Sequence, residues 1–294
     1  MSDQVLLSAE VAEALAQRRP VVALETSIVG QGLPAPHNLR AARECEAAIR
    51  RVGAVPASVA VLDGRLRAGV TDDELERIAS GATKVSSRDL GPALVHRAVG
   101  ATTVAATMRI ASMAGIRFFA TGGIGGVHRG HAEDVSADLE ELGRTPVAVF
   151  CAGAKIILDL PATLERLESL SVPVIGFGTD EFPAFYSRHS GCAVSARVDD
   201  PAEAALVLQE AWASGSRGVV VTVPPPRELE GAEAMAKQAA AELSGVAGKD
   251  VTPRLLARLA ELSGGRSVEL NVELVVNNAR VAAEVALAFG RRFQ

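Results

Sequence analysis

The chain lacks the features that mark several protein classes. Its three cysteines, Cys45, Cys151 and Cys192, are scattered. That spacing fits neither a disulfide framework nor a zinc site, and it suits a reducing compartment. No apolar run is long enough to span a bilayer, and the opening M-S-D-Q-V-L-L-S-A-E lacks the basic start of a secretory leader. No block of like charges and no basic stripe interleaved with aromatics occurs, and the net charge is −5. Nucleic-acid and membrane binding are therefore not expected. Aromatics are scarce, with one Trp and one Tyr. Lysine is scarcer than arginine: Lys84, Lys155, Lys237 and Lys249 are the only lysines among 30 basic residues.

What is present is small and apolar. Hydrophobic residues make up 48% of the chain, led by Ala and Val, and 27 glycines accompany them. That composition supplies a large core and suits helices packed closely on a sheet. The expectation is a cytoplasmic α/β protein, with residues 1–294 forming a single domain.

Periodicity gives the outline. Residues 8–18 read as a helix capped by Ser8, 20–25 as a buried strand, and 36–53 as a helix ending at Gly53. Residues 57–69 read as a hairpin turning at Asp63-Gly64, and 71–81 as a short helix. Strand candidates at 84–86 and 102–104 follow, then a helix over 105–114. From there strands at 117–123, 146–153, 173–178 and 218–223 alternate with helices, one of them starting at Ala154 and others at 161–170 and 202–212. Helices near 230–244, 252–263 and 268–289 close the chain. This beat predicts a mainly parallel sheet. In such sheets ligands collect beyond the carboxyl ends of the strands, which points to the loops after Leu24, Ala120, Cys151 and Gly176.

Several residues at those ends could carry chemistry. Glu25 ends the strand V-V-A-L-E; it is either an acid with a raised pKa or a structural carboxylate accepting amide N–H bonds in the turn. The loop T-G-G-I-G-G-V-H-R-G (121–130) carries no G-K-[ST] and does not match the dinucleotide spacing, but its glycines could let amides approach an anion. His128, His131, Glu133, Asp134 and Asp138 crowd into eleven positions. Such an oxygen-rich set suits Mn²⁺ or Mg²⁺; the competing reading is a solvated loop entering a helix capped by Ser136. Lys84, in T-K-V-S, could be a point charge for a phosphate. Lys155 lies between a buried strand and apolar residues, where a desolvated amine could act as a nucleophile toward a carbonyl carbon. The residues before it, C-A-G-A, are small and would leave clearance for a bound ligand.

These motifs occur together in one family. A-L-E-T-S-I-V-G-Q-G-L-P, T-K-V-S-S-R-D-L, A-T-T-V-A-A-T-M, F-A-T-G-G-I-G-G-V-H-R-G, D-V-S-A-D-L-E-E-L, V-A-V-F-C-A-G-A-K, V-P-V-I-G-F-G-T-D-E-F-P-A-F-Y and N-V-E-L-V-V-N-N-A-R stand in order from near Leu7 to the C-terminus. The sequence closely resembles the pseudouridine-5′-phosphate glycosidase (indigoidine synthase A-like) family. The resemblance implies a three-layer α/β/α fold around a central mixed, mainly parallel sheet, assembled as a homotrimer. It implies reversible, Mn²⁺-dependent cleavage of the C–C glycosidic bond of pseudouridine 5′-phosphate to uracil and ribose 5-phosphate, through ring opening and a lysine imine.

Position by position, the resemblance implies that Lys155 is the covalent lysine and Glu25 the acid acting on the ribose ring oxygen. Lys84 then binds substrate at its phosphate, and Asp134 holds the single Mn²⁺ of each subunit. Ser136, Ala137 and Asp138 contact substrate, and Val104, Thr121 and His128 line the same site. Asn271 corresponds to a C-terminal asparagine contact, with Asn278 as the alternative. Two departures stand out: the connection from H-R-G to D-V-S-A-D is shorter than is usual in the family, and E-T-S replaces E-S-T. Two rival readings stand beside it: a sugar or nucleoside kinase, which would need an anion-hole motif absent here, and a non-catalytic nucleotide-binding subunit.

Overall fold

The computed structural model describes residues 4–242 and 251–293. Its strands are β1 (Val5–Leu7), β2 (Val21–Leu24), β3 (Val55–Leu62), β4 (Arg65–Ala68), β5 (Thr83–Val85), β6 (Gly100–Thr102), β7 (Phe118–Ala120), β8 (Val127–His128), β9 (His131–Val135), β10 (Ala148–Cys151), β11 (Leu158–Asp159), β12 (Val174–Phe177), β13 (Ala196–Val198) and β14 (Val219–Thr222). Its helices are α1 (Ala9–Ala16), α2 (His37–Val52), α3 (Asp72–Ala79), α4 (Leu90–Val95), α5 (Val104–Ala114), α6 (Ala137–Leu142), α7 (Leu160–Ser169), α8 (Pro201–Ala213), α9 (Ala232–Glu242), α10 (Val251–Leu262) and α11 (Arg266–Phe293).

Seven strands run parallel in the order β3-β2-β7-β10-β14-β12-β13. Their buried runs, such as V-V-A-L in β2 and A-V-F-C in β10, are apolar on both faces because helices cover both sides. β3 is long enough to do two jobs: its first four residues pair β2, and its last four pair β4 and β6 antiparallel. The sheet is thus mixed but mainly parallel, as the alternation predicts. Helices α2, α8 and α11 pack together on one face, and α5 with α6 on the other. A separate antiparallel ribbon, β11-β8-β9, stands apart from the main sheet.

Local signals explain many boundaries. Ser8 caps α1, its hydroxyl accepting from the Val11 amide at 3.2 Å, and Gly53 stops α2 with φ +99°. The hairpin turns on Asp63 and Gly64, both at positive φ. Two expectations fail. T-T-V is split: β6 stops at Thr102, Thr103 caps α5, and Val104 is its first residue. No helix starts at Ala154 either; the chain stays irregular until β11, and α7 starts at Leu160 behind the Asp159 cap. The expected helix 230–244 is observed as Ala232–Glu242, with its last two positions outside the described residues. Among the described residues, no helix is long and apolar enough to cross a membrane.

The strand order branches at β2: β3, next in the chain, lies on one side and β7, reached much later, on the other, all three parallel. The loops leaving β2 and β7 therefore diverge and open a crevice.

Candidate active site

Glu25 is the first residue past β2. The strand buries four apolar residues in a row, so the carboxyl must leave the sheet at its end. There the hydroxyls of Ser27 and Thr121 both donate to it, Ser27 to Oε2 and Thr121 to Oε1. Burial pushes the Glu25 carboxyl above its ordinary 4.5. The nearby Lys155 charge and the two hydroxyls oppose that rise, and Asp138 adds to it. The group can thus hold a proton at a pH where an exposed glutamate has lost it. The competing expectation, a carboxylate serving backbone amides of its turn, is not what its hydroxyl partners show.

Lys155 is held by its backbone. Past β10 the chain makes a short register with the glycine loop: Ile124 N–H donates to the Gly153 carbonyl at 3.1 Å, and Lys155 N–H donates to the Ile124 carbonyl at 3.2 Å. A turn follows in which Leu158 N–H donates to the Lys155 carbonyl at 3.0 Å. Arg129 closes the segment from outside, donating through Nε to the Leu158 carbonyl at 2.9 Å and through Nη2 to the Ile156 carbonyl at 3.2 Å. The irregular backbone that carries the lysine is therefore satisfied by protein. Gly153 does not give clearance for a ligand. It sits at φ +80°, and a Cβ there would collide with the Pro183 carbonyl, so the glycine serves the backbone crossing.

The glycine loop is shaped by close packing. None of Gly122, Gly123, Gly125 and Gly126 takes a positive φ. Three of them are small because neighbours press on them: Phe185 on Gly123, Ser136 and Asp138 on Gly125, Thr163 on Gly126. The Gly125 amide donates to Asp138 Oδ2 at 2.8 Å, and the Ala105 amide donates to Asp138 Oδ1 at 2.9 Å. Asp138, only 6% exposed, thus ties the glycine loop to the first turn of α5.

The acidic and histidine-rich stretch lies on the ribbon. His128 Nδ1 meets Asp134 Oδ2 at 2.6 Å, and both line the cavity described below. His131 and Glu133 pair with each other at 3.4 Å and stand largely in solvent. Ser136 caps α6, accepting from the Asp138 amide at 3.3 Å. Among the described residues no three His, Cys, Asp or Glu side chains converge as a closed metal cage. The arrangement instead fits an ion held by one carboxylate and otherwise by water and substrate oxygens, as Mg²⁺-like ions commonly are. Asp134 has the exposure for that, at 51%.

These elements enclose a cavity of about 870 Å³. Glu25, Lys84, Val104, His128, Asp134, Ser136, Ala137, Asp138, Lys155 and Asn271 all line it. Lys84 reaches it from β5, beside Ser86 and Arg88. Thr121 does not line it; fully buried, it stands behind Glu25. Asn271 and Asn278 lie two turns apart on one face of α11, but only Asn271 reaches the cavity. Asn278 is buried beneath the glycine loop, donating to the Thr121 carbonyl at 2.8 Å. The loop after β12 contributes only Phe185. Sequence reasoning missed Ser27 and Arg129; a hydroxyl two residues after a strand-end glutamate was the available signal for the first.

The family model described as indigoidine synthase A like protein matches residues 10–288. A pseudouridine-5′-phosphate glycosidase of Myxococcus xanthus is 51% identical over 97% of this chain and 98% of its own. One of Deinococcus radiodurans is 52% identical over 97% and 95%. Among solved structures, the prealnumycin C-glycosynthase AlnA in complex with ribulose 5-phosphate superposes with a TM-score of 0.90 at 40% identity, covering 99% of this chain and 98% of AlnA. An indigoidine synthase A-like protein of Thermotoga maritima gives 0.90 at 33% identity, over 98% and 97%.

Proposed function

The chain belongs to the indigoidine synthase A-like family, and on that premise we propose that it is a pseudouridine-5′-phosphate glycosidase, cleaving the C–C glycosidic bond to release uracil and ribose 5-phosphate. One observation carries the reading: a partly buried acid, Glu25, and a backbone-clamped lysine, Lys155, line one cavity in a chain about half identical to enzymes of that name over 97% of its length.

A carbon leaving group cannot depart as an alkoxide does, so the paired-carboxylate route of ordinary glycosidases does not suffice. The proposed sequence begins with Glu25. It donates its proton to the ribose ring oxygen as the bond from that oxygen to C1′ breaks, and the uracil ring supplies electrons to C1′. The Lys155 amine adds to C1′ and loses a proton. The nitrogen lone pair then forms a C=N bond while the C1′–C5 bond breaks; its electron pair goes to the uracil ring, which takes up a proton at C5. Water hydrolyses the imine and frees Lys155 with ribose 5-phosphate.

In this reading Lys84 offers a point charge to the phosphate, with Arg88 at the same rim. Ser136, Ala137, Asp138, Val104 and Asn271 shape the wall against which the opened sugar lies. Thr121 acts through Glu25. Asp134, oriented by His128, would hold one Mn²⁺ per subunit, which when bound supplies positive charge to substrate oxygens. A homotrimer belongs to the same proposal, and light scattering measures it.

The deciding assay is simple. Purified protein with pseudouridine 5′-phosphate and Mn²⁺ should release uracil, seen by chromatography, without ATP. Absence of uracil would overturn the reading, and dependence on ATP would favour the kinase alternative. AlnA adds a question of direction. Because the scheme is reversible, uracil and ribose 5-phosphate should yield pseudouridine 5′-phosphate in the same site.

A further inference from the structure

Asn278 is an amide in the wrong company. It is fully buried in a stretch of α11 where Val275, Ala279, Val281 and Ala282 are also buried. A polar side chain there is unfavourable unless something needs its hydrogen bonds. Its Nδ2 donates to the Thr121 carbonyl at 2.8 Å and reaches the Gly122 carbonyl at 3.4 Å. Turning the amide over would set its oxygen against two carbonyls, so the orientation is determined. Its own Oδ1 has no partner among the described residues.

The two carbonyls do not need Asn278 equally. That of Gly122 already accepts from the Ala152 amide at 2.9 Å. That of Thr121 lies one residue past β7, beyond the parallel ladder, and the amide of Asn278 reaches it there. Thr121 is meanwhile held on its other side by its own N–H, which donates to the Phe150 carbonyl at 2.9 Å. Its hydroxyl donates to Glu25. Three elements are thus joined in series: α11 through Asn278, the loop after β7 through Thr121, and the end of β2 through Glu25.

We propose that Asn278 is a positioning residue, fixing the backbone of Thr121 so that the Thr121 hydroxyl stays on Glu25. The proposal rests on Glu25 being the acid of the reaction above. Asn278 does not itself line the cavity; it acts on the site through the backbone of Thr121 and, by the longer 3.4 Å contact, of Gly122, which does line it. The groups facing Glu25 are Lys155 from the β10–β11 connection, Asp138 from α6, and the hydroxyls of Ser27 and Thr121.

The test is the pH dependence of kcat and KM for uracil release from pseudouridine 5′-phosphate, with Tm measured alongside. Wild type, Thr121→Val, Asn278→Ala and Asn278→Ser are compared. Removing the Thr121 hydroxyl from Glu25 disfavours its charged form, so the limb falling at high pH should move upward in Thr121→Val. Asn278→Ala should move it in the same direction and lower kcat about tenfold, with KM within about twofold of wild type. Asn278→Ser keeps a hydroxyl donor with room for a bridging water, and should recover part of both. The proposal is overturned if the limb stays in place in Asn278→Ala, whatever happens to kcat. It is also overturned if KM rises at constant kcat, which would make Asn278 a substrate contact. Failure of both Asn278 variants to fold would assign the residue to packing alone and overturn it too. Wild type that releases no uracil refutes instead the functional reading on which the proposal rests.

Discussion

His128 Nδ1 lies 2.6 Å from Asp134 Oδ2, across the ribbon formed by β8 and β9. The contact orients one carboxylate at the rim of a cavity that holds few other acidic groups. Asp134→Ala should therefore abolish Mn²⁺ binding measured by calorimetry, and His128→Ala should weaken it by about tenfold or more, as loss of an outer partner does. Unchanged binding in Asp134→Ala would place the ion elsewhere.

The raised pKa of Glu25 sets a pH dependence with a defined sign. The protonated form is the donor, so kcat/KM should fall as pH rises through the Glu25 pKa, above 4.5. The folded state holds this proton more tightly than the unfolded chain does. That contribution to stability is full below the unfolded pKa and is lost as pH rises through the folded one. Glu25→Gln should abolish turnover and flatten that part of the stability profile, read by denaturant titration at several pH values.

Arg129 donates to two carbonyls on the segment that carries Lys155, one residue and three residues beyond it. Arg129→Ala should lower kcat by up to about a hundredfold through misplacement of the amine, with a smaller effect on KM. Arg129→Lys can replace only part of a two-pronged contact and should fall between them. Equal kcat in all three proteins would show that the clamp does not position the lysine.

Gly125 packs against Ser136 and Asp138, and its amide is committed to Asp138. Gly125→Ala should cost about 1–3 kcal/mol, the usual range for overpacking, measured by chemical denaturation. A neutral result would mean that the loop can shift and that the contact with Ser136 and Asp138 does not constrain it.

The parallel sheet and the ends of its strands were legible because buried strands are apolar runs and helices repeat at their own period. Glu25 and Lys155 stood out because each is a charged residue at the boundary of an apolar run, and Lys84 because lysine is rare in this chain. What escaped was anything set by a distant partner. Gly153 is dictated by Pro183 and Gly125 by Asp138, and neither neighbour is visible from local spacing. The segment after Ala154 is apolar enough for a helix, but its pairing with Ile124 and the clamp from Arg129 hold it irregular. Asn271 and Asn278 share a helix face and a residue type. Only their depth separates the one at the cavity from the one beneath the loop.

The central claim is that the Lys155 amine becomes covalently joined to C1′. The most direct measurement is borohydride reduction during turnover with pseudouridine 5′-phosphate, followed by intact-protein and peptide mass spectrometry. The account predicts a stable adduct of a reduced ribose phosphate on the peptide containing Lys155, absent in a folded but inactive Lys155→Met protein. An adduct on another residue, or a Lys155→Met protein with near-wild-type uracil release, would contradict it.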